Sequence, residues 1–297
     1  MVVKERFRKI LTPEGLYAYS RESGLCILVP EARCSMWIKP LYVQLQLTTE
    51  CNRRCWWCYL EKKPASWNFE EVENLLKFLD SWGVFGVALG GGEPFTYPHL
   101  AKVVKYAWLE TGLDVSITTN GSASLQQILE IEDHISEARV SVRTLDELEN
   151  VGKFLGRRFE VGVNVLAHRQ NVSEVKEIIG KCISLGVRDF LVSAFRAVGA
   201  AKRFQDMEPD DFSPVKEIVE KFWGKALFKL DSMLAEKVDV PKFPFEFPER
   251  GRVIAVTPDM TVKPSSMSDE SYLFKSPEEI PKIYRKFIVG HAETEAV

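Results

Sequence analysis

Short apolar runs alternate with helical patterns between about residues 40 and 225 of the chain. Six of these runs are rich in Val, Ile, Leu or Phe, and we predict strands at residues 42–48, 84–89, 114–119, 138–142, 160–166 and 188–195. Strands that alternate with helices indicate a parallel sheet built from βα units. Such a sheet is either open and doubly wound or part of a barrel. In both folds the ligand lies at the carboxyl ends of the strands.

The helices between these strands carry their own start and stop signals. Asn68 with Glu71 three residues later forms a capping box, and Gly83 ends the apolar face that follows it. Thr144 with Glu147 repeats the capping pattern and predicts a helix to about residue 155. Apolar spacing predicts four further helices, near residues 98–111, 123–132, 173–186 and 210–223.

The ends of the chain have a different pattern. Residues 1–39 contain turn-separated short runs, and we predict a small β-rich layer or lid there. We predict the βα units over residues 40–225 and a capping extension over residues 226–297. In that extension residues 242–249 are rich in Pro and Phe and irregular, and residues 252–263 predict a hairpin that turns at Pro258 and Asp259.

The composition is that of a globular protein. Of 297 residues 45% are hydrophobic and 27% charged, which excludes a disordered, collagenous or coiled-coil chain. The formal net charge of −3 gives no bulk attraction to nucleic acid or to an anionic membrane. The charged N-terminus is unlike a signal peptide, and no window holds about 18 uncharged apolar residues. We therefore expect a cytoplasmic protein without membrane or nucleic-acid partners.

Three of the six cysteines lie within eight residues, directly after the first predicted strand. Cys51, Cys55 and Cys58 have the spacing C-x₃-C-x₂-C. Three thiolates can hold three irons of a 4Fe-4S cluster and leave the fourth iron open to another ligand. A closed zinc site needs a fourth ligand, and none of the four histidines lies nearby in sequence. Three unliganded thiols are the remaining alternative.

This loop resembles the signature of radical S-adenosylmethionine (radical SAM) enzymes, in which an aromatic residue, here Trp57, precedes the last cysteine. The resemblance implies a partial (β/α)₆ TIM-type barrel in the α/β class, with one oxygen-sensitive 4Fe-4S cluster on Cys51, Cys55 and Cys58. It also implies that S-adenosylmethionine (SAM) binds the open iron. Reduction, by a partner such as ferredoxin or flavodoxin, then yields a 5′-deoxyadenosyl radical that abstracts hydrogen from a substrate.

The next two strand ends also resemble the family. Gly91, Gly92 and Glu93 belong to a Gly-Gly-Glu-Pro motif, in which glycines admit a ligand close to the backbone and the carboxylate accepts from a cationic amino group. Thr119 and Asn120 begin a Thr-Asn-Gly strand end that lies beside the cofactor in relatives. Simple turns are the alternative for both segments.

Three residues on later strands are further candidates for cofactor contacts. Relatives carry a serine at the position of Ser141, although the aspartate that usually follows it is replaced here by Arg143. Arg143 can pair with the methionyl carboxylate, or it can be solvated. Asn164 is expected to face the inside of the fold. The resemblance implies a contact with the cofactor ribose at this position, and a structural hydrogen bond is the alternative.

Three residues are candidates for substrate contacts. Arg196 follows the sixth strand in a segment that resembles the family's substrate region, and it can hold a carboxylate. Tyr59 directly follows Cys58, and we expect it to belong to the aromatic cover of the cluster. His99 follows the Gly-Gly-Glu-Pro motif, where a solvated histidine at the start of a helix is the alternative.

The C-terminal extension resembles the start of a SPASM or twitch extension, whose cysteines bind auxiliary clusters in peptide-modifying relatives. Ser265 stands where a relative has the first such cysteine, and the sequence has no cysteine after Cys182. We therefore expect no auxiliary cluster of this kind. Cys182 falls on an apolar helix face and predicts a core residue, and Cys26 with Cys34 predict structural thiols rather than an auxiliary site.

These features predict a radical SAM enzyme that acts on a peptide, a protein or a peptide-derived cofactor. The main alternative is a radical SAM enzyme acting on a small molecule in cofactor or nucleoside biosynthesis. A non-catalytic iron–sulfur protein, which binds SAM for regulation or carries electrons, is a second alternative. The open cluster site argues against the last, because an electron carrier needs no open iron.

Overall fold

A computed structural model describes residues 7–61, 63–209, 211–239 and 251–289, so the Pro/Phe-rich stretch at 242–249 lies outside the described residues. The strands are β1 (Arg8–Thr12), β2 (Gly15–Tyr19), β3 (Cys26–Val29), β4 (Tyr42–Thr48), β5 (Gly86–Gly91), β6 (Asp114–Thr119), β7 (Glu137–Val142), β8 (Glu160–Ala167), β9 (Asp189–Ala194), β10 (Leu227–Leu230), β11 (Val253–Thr257), β12 (Thr261–Lys263) and β13 (Tyr272–Leu273). The helices are α1 (Phe69–Trp82), α2 (Leu100–Glu110), α3 (Leu125–Ile131), α4 (Leu148–Gly152), α5 (Val172–Ser184), α6 (Ser213–Phe222), α7 (Ser232–Lys237) and α8 (Ile280–Val289).

Strands β4 to β10 are parallel and pair in chain order, without a switch point. Crossovers between parallel strands are right-handed, so a sheet in strict chain order carries all its crossover helices on one face. This arrangement is that of a partial (β/α) barrel and not of a doubly wound sheet. The open choice between the two predicted folds is settled by the strand order.

All six predicted strands are present, with bounds shifted by at most two residues. One parallel strand, β10, was not predicted, and it pairs with β9. The parallel pairing of β11 with β4, on the opposite side of the sheet, was also not predicted. The predicted hairpin at residues 252–263 is confirmed as β11 and β12. The C-terminal segment therefore does more than the predicted capping, because it contributes a strand beside β4.

The helix signals were correct for α1 and wrong for α4. Asn68 caps α1 through the predicted box, whereas Thr144 makes no capping bond to the next turn. Glu147 is used elsewhere: it accepts from the backbone N–H of Arg143 at 2.9 Å and pairs with the Arg53 side chain. Without its cap, the predicted helix is reduced to a 3₁₀ turn and the five residues of α4.

The two faces of the sheet differ in polarity. Val43, Leu45 and Leu47 of β4 are completely buried in the main core, which the helices share. Gln44 and Gln46 alternate with them and point to the opposite side. We call this helix-free side the inner face, and the alternation continues through β10.

The N-terminal sheet, β1–β3, packs against the amino ends of the parallel strands. The Tyr19 ring lies 5.5 Å from that of Phe85 and 6.2 Å from that of Tyr42, measured between ring centroids. The Tyr42 hydroxyl donates to Asp114 at 3.2 Å. Burial raises the pKa of Asp114, and one of its carboxylate oxygens has no hydrogen-bond partner. These contacts close the amino end of the inner face.

The three remaining cysteines lie away from the cysteine-rich loop. Cys182 is buried on α5, as predicted, and burial raises the pKa of its thiol to about 12. Cys26 and Cys34 are half-buried in the N-terminal layer, where the Cys34 thiol donates to the Met36 carbonyl. In the described part of the chain, no helix is long and apolar enough to cross a membrane.

Candidate functional site

The three clustered cysteines lie on the loop that follows β4, residues 49–66, which we call the cysteine loop. Cys51 is exposed, and Cys55 and Cys58 are half-buried. The Cys58 N–H donates to the Cys55 carbonyl at 3.4 Å, which forms a turn between the two. No three Cys, His, Asp or Glu side chains of the described residues converge on one metal-ion position. A four-iron cluster does not need such convergence, because each thiolate binds a different iron.

The first cysteine is held by the end of β6. The Asn120 side-chain amide donates to Asn52 at 2.9 Å and lies 3.9 Å from the Cys51 sulfur. Asn52 in turn donates to the Ser122 hydroxyl at 2.7 Å, and the Arg53 N–H lies 3.4 Å from the same sulfur. Two N–H groups therefore point at the Cys51 sulfur. The predicted cofactor residue Asn120 contacts the cysteine loop itself.

The glycines after β5 pack against the backbone of the cysteine loop. Gly91 has φ +118°, and a Cβ there would lie 2.4 Å from the Thr48 carbonyl oxygen; at Gly92 it would lie 1.8 Å from that of Glu50. At both glycines the space that a side chain would fill is therefore occupied by the backbone of the cysteine loop. Gly90 differs, since a Cβ there would meet nothing within 4 Å.

Glu93 is buried beneath the cysteine loop. Its carboxylate accepts from the Thr119 hydroxyl and the Asn120 N–H, both at 2.7 Å, and from the Phe95 N–H at 3.3 Å. Burial raises the pKa of Glu93, and these donors together with the Arg143 cation oppose the increase only in part. A carboxylate offers about four acceptor positions, so about one remains for a further donor.

Arg143 lies just beyond β7, between an acidic and an aromatic side chain. Its guanidinium is 3.6 Å from the Glu147 carboxylate and 5.9 Å from the centre of the Trp57 ring. The nitrogen that faces Glu147, Nη1, is buried and makes no hydrogen bond, because 3.6 Å exceeds hydrogen-bond distance. Arg53 pairs with the same Glu147 and so ties the cysteine loop to this strand end. The orphaned donor, with Glu93 in electrostatic reach, fits the carboxylate and ammonium groups of an amino-acid cofactor.

An aromatic cluster holds the middle of the cysteine loop. The Trp56 ring lies 5.0–5.2 Å, between centroids, from His168 at the end of β8 and from Phe195 and Phe204 beyond β9. Burial lowers the pKa of His168, which favours its neutral form. Sequence reasoning missed His168, although its place directly after the fifth predicted strand is a signal that could have found it.

The far end of the loop rests on the segment after β9. Gly199 has φ +54°, and a Cβ there would lie 2.0 Å from the Tyr59 carbonyl oxygen. The Ala200 N–H donates to the Leu60 carbonyl at 3.3 Å. Burial raises the pKa of Tyr59 to about 12. Strand ends from β5, β6, β7 and β9 thus all contact the cysteine loop.

Ser141 and Asn164 are neighbours in register on the inner face of β7 and β8. The Asn164 side-chain oxygen accepts from Arg139 Nε at 2.9 Å. Asn164 was expected either to contact the cofactor ribose or to make a structural hydrogen bond. Its contact with Arg139 is a structural hydrogen bond.

The predicted substrate residues lie in different places. Arg196 is 3.8 Å from Asp231, across the ends of β9 and β10. His99 is exposed at the start of α2, with its ring against Tyr97 and Phe69. No described contact brings His99 to the cysteine loop, so the structure does not group it with the other site residues.

Comparison with known proteins places this site in a family. The family model described as Radical SAM superfamily matches residues 45–200, from β4 to the segment after β9. A probable GTP 3′,8-cyclase of Methanococcus maripaludis is 24% identical over 287 residues, covering 82% of this chain and 93% of the relative. A GTP 3′,8-cyclase of Chlorobaculum tepidum is 27% identical over 179 residues, covering 57% of this chain and 54% of that one.

Solved structures share the fold at low sequence identity. Streptococcus suis SuiB superposes with a TM-score of 0.71 at 13% identity, covering 96% of this chain and 88% of SuiB. Methylornithine synthase (PylB) superposes with a TM-score of 0.55 at 14% identity, covering 87% and 86% of the two chains. SuiB has also been solved with bound S-adenosylmethionine. These likenesses confirm the predicted partial barrel.

Proposed function

Because the chain belongs to the radical SAM superfamily, we propose that Cys51, Cys55 and Cys58 hold its 4Fe-4S cluster and that its substrate is a small polar molecule. The protein is an enzyme with the family's fold, and it uses a 4Fe-4S cluster and SAM. Such enzymes need a reductant. The bound cluster supplies the electron that cleaves SAM to a 5′-deoxyadenosyl radical, which takes hydrogen from the substrate.

The observation that carries the proposal is the pairing of a spare acceptor and a spare donor beside the cysteine loop. Glu93 retains about one acceptor position for the ammonium group of SAM. Arg143 Nη1, which lies 3.6 Å from the Glu147 carboxylate without a hydrogen bond to it, provides a donor for the carboxylate of SAM. Ser141, two residues before Arg143 on the same strand, is proposed to contact the ribose or the carboxylate.

Other residues keep the thiols in place and limit the access of water. Asn120 positions the loop around Cys51, and the aromatic cluster around Trp56 supports its centre. Trp57 lies beneath the Arg143 guanidinium, so an aromatic face covers one side of the proposed cofactor position. Exposed Cys51 leaves one side of the loop open to a reductant such as ferredoxin or flavodoxin, which we propose as the electron donor.

Two observations favour a small substrate. The inner face is polar, and its amino end is covered by the N-terminal sheet and by the Tyr42–Asp114 hydrogen bond. The curated relatives are GTP 3′,8-cyclases, whose name gives a small molecule as the substrate. We therefore prefer the small-molecule alternative to the peptide substrate that the sequence predicts.

A peptide substrate is a second candidate because the N-terminal sheet has an unoccupied edge. Among the described residues, β3 pairs only with β2. Its outward side chains, Ile27 and Val29, are 41% and 39% exposed. An extended peptide can add to such an edge through main-chain hydrogen bonds.

The experiment is the formation of 5′-deoxyadenosine by anaerobically reconstituted protein with SAM and dithionite. We expect product from the wild type and from a Cys26/Cys34→Ala control, and none from a Cys51/Cys55/Cys58→Ala variant. Equal product from the triple variant would contradict the cluster assignment. GTP, the small-molecule fraction of a cell extract and its peptide fraction are then added separately. Stimulation by the peptide fraction alone would favour the second candidate.

A further inference from the structure

The inner face of β5 carries only Gly86, Ala88 and Gly90, because the alternate residues of this strand are buried in the main core. Gly90 has no positive φ, and a Cβ there would meet nothing within 4 Å. Neither the backbone conformation nor a contact with protein therefore requires glycine at this position. Since a glycine within a strand lowers stability and often marks the close approach of a ligand, we read the space above Gly90 as ligand space.

Two side chains from the neighbouring strands meet over Gly86, at the amino end of β5. A Cβ on Gly86 would lie 2.7 Å from the Asp114 Cβ and 2.8 Å from the Tyr42 Cε1, so both side chains lie over the glycine. The Tyr42 hydroxyl donates to Asp114 Oδ2 at 3.2 Å and so joins β4 to β6 across β5. The open space above Gly90 and Ala88 therefore ends at this hydrogen bond.

Polar side chains of β4 and β6 form the two walls of this space. Ala88 pairs with Gln44 of β4 on one side and with Ser116 of β6 on the other. The two walls are two strand spacings apart, about 10 Å between Cα atoms. Gln44, Ala88, Gly90 and Ser116 are all half-buried, so each keeps accessible surface. We call the space above Ala88 and Gly90, with Gln44, Ser116 and Asp114 around it, the β5 slot.

Two buried oxygen atoms beside the β5 slot make no hydrogen bond with the described residues. They are Gln44 Oε1 and Asp114 Oδ1, and the Asp114 side chain as a whole is only 4% exposed. Ser116 adds a hydroxyl oxygen, which can also accept. Buried polar atoms in native proteins are nearly always hydrogen-bonded, so orphaned acceptors on both walls of one slot indicate a ligand that brings donors.

The charges of the inner face indicate that these donors belong to a cation. Within strands β4 to β10 the inner face carries two cations, Arg139 and Lys229. Arg139 is paired with Glu137 and Asp189, and Lys229 is paired with Asp189, so these four groups balance. Asp114 has no ion-pair partner among the described residues. A buried carboxylate without a cation is costly, and a cationic ligand removes that cost.

We propose that the β5 slot binds a primary ammonium group of the substrate. The inference rests on the proposed function, because Gly90 leads directly into Gly91, which packs against the cysteine loop. An ammonium group has three N–H donors, and the slot offers three oxygen acceptors, on Gln44, Ser116 and Asp114. Asp114 supplies the opposite charge, and the missing side chain of Gly90 lets the rest of the molecule pass toward the cysteine loop. The substrate is therefore a small amine.

Two substitutions remove acceptors of the slot without leaving a protein group unpaired. Asp114→Asn removes the charge and keeps an oxygen that accepts from the Tyr42 hydroxyl. Gln44→Met removes an oxygen that has no hydrogen bond to lose. The matched controls are Asp133→Asn and Gln126→Met, at two exposed positions.

The test measures binding of butylamine by saturation-transfer NMR of its methyl protons. It uses cluster-loaded protein with SAM and no reductant, so it does not depend on cofactor cleavage. We expect saturable binding to the wild type and to both controls. Binding to Asp114→Asn and to Gln44→Met should be at least about tenfold weaker, the loss expected for a hydrogen bond to a charged group. Undiminished binding to either slot variant, or no binding to the wild type, would overturn the proposal.

A second arm uses only the wild type and therefore does not depend on the folding of a variant. Butyltrimethylammonium has the charge but no N–H donor, and 1-butanol has a donor but no charge. We expect each to compete with butylamine at least about tenfold more weakly than unlabelled butylamine does. Equal competition by either compound would overturn the assignment to a primary ammonium group. Loss of 5′-deoxyadenosine formation with intact amine binding would count against the proposed function and not against the slot.

Discussion

Replacement of Gly92 by alanine tests the contact between the glycine motif and the cysteine loop. Gly92 does not have a positive φ, so its backbone conformation accepts a side chain. The cost comes from contact alone, because the new Cβ would lie 1.8 Å from the Glu50 carbonyl oxygen. Relief requires the two loops to separate by about 1 Å.

That separation disrupts two backbone hydrogen bonds. Gly92 N–H donates to the Thr48 carbonyl at 2.7 Å, and Glu93 N–H donates to the Glu50 carbonyl at 2.8 Å. Each bond contributes about 0.5–1.5 kcal/mol net, and a buried donor left unpaired costs about 1–3 kcal/mol. We therefore expect Gly92→Ala to lower the free energy of unfolding by about 2–4 kcal/mol.

The assay is urea unfolding of cluster-free protein, followed by tryptophan fluorescence. Gly90→Ala is the matched control, since its Cβ meets nothing within 4 Å, and we expect its stability to be unchanged or up to about 1 kcal/mol higher. A Gly92→Ala midpoint equal to that of the wild type would refute the reasoning. So would a loss of equal size in both variants.

Three further outcomes follow from buried groups around the site. Burial raises the pKa of Asp114. The wild type should therefore lose stability as pH rises from about 3.9 through that raised pKa. Asp114→Asn should flatten this pH dependence of the urea midpoint. Trp56→Ala removes the aromatic contacts of the cysteine loop and should speed iron loss to a chelator several-fold, unlike exposed Trp223→Ala. Glu93→Gln puts an amide NH₂ among N–H donors and should weaken SAM binding about tenfold in equilibrium dialysis.

The local parts of the fold could be predicted from sequence. The strands of the βα core are short runs with apolar residues at alternate positions, bounded by turn residues, because one face of the sheet is buried under helices. The Asn68 cap of α1 was predicted correctly because both of its hydrogen bonds join Asn68 to Glu71, within one turn of helix. The cysteine spacing identified the family because all three thiols lie on one loop.

The parts that depend on distant partners could not be predicted. Strand β10 has four residues with Lys229 among them, too short for a periodic signal, and it forms by pairing with β9. The pairing of β11 with β4 joins segments about two hundred residues apart. Glu147 was expected to cap a helix and instead pairs with Arg53 of a distant loop.

The most direct measurement is the iron content and electron paramagnetic resonance spectrum of the reconstituted, reduced protein, recorded with and without SAM. The account predicts one 4Fe-4S cluster per chain and a spectrum that changes on addition of SAM, because the fourth iron is open. The change should be lost in an Arg143→Met/Glu93→Gln variant that retains the cluster. A cluster whose spectrum does not change on addition of SAM would contradict the account, as would a cluster retained by the Cys51/Cys55/Cys58→Ala variant.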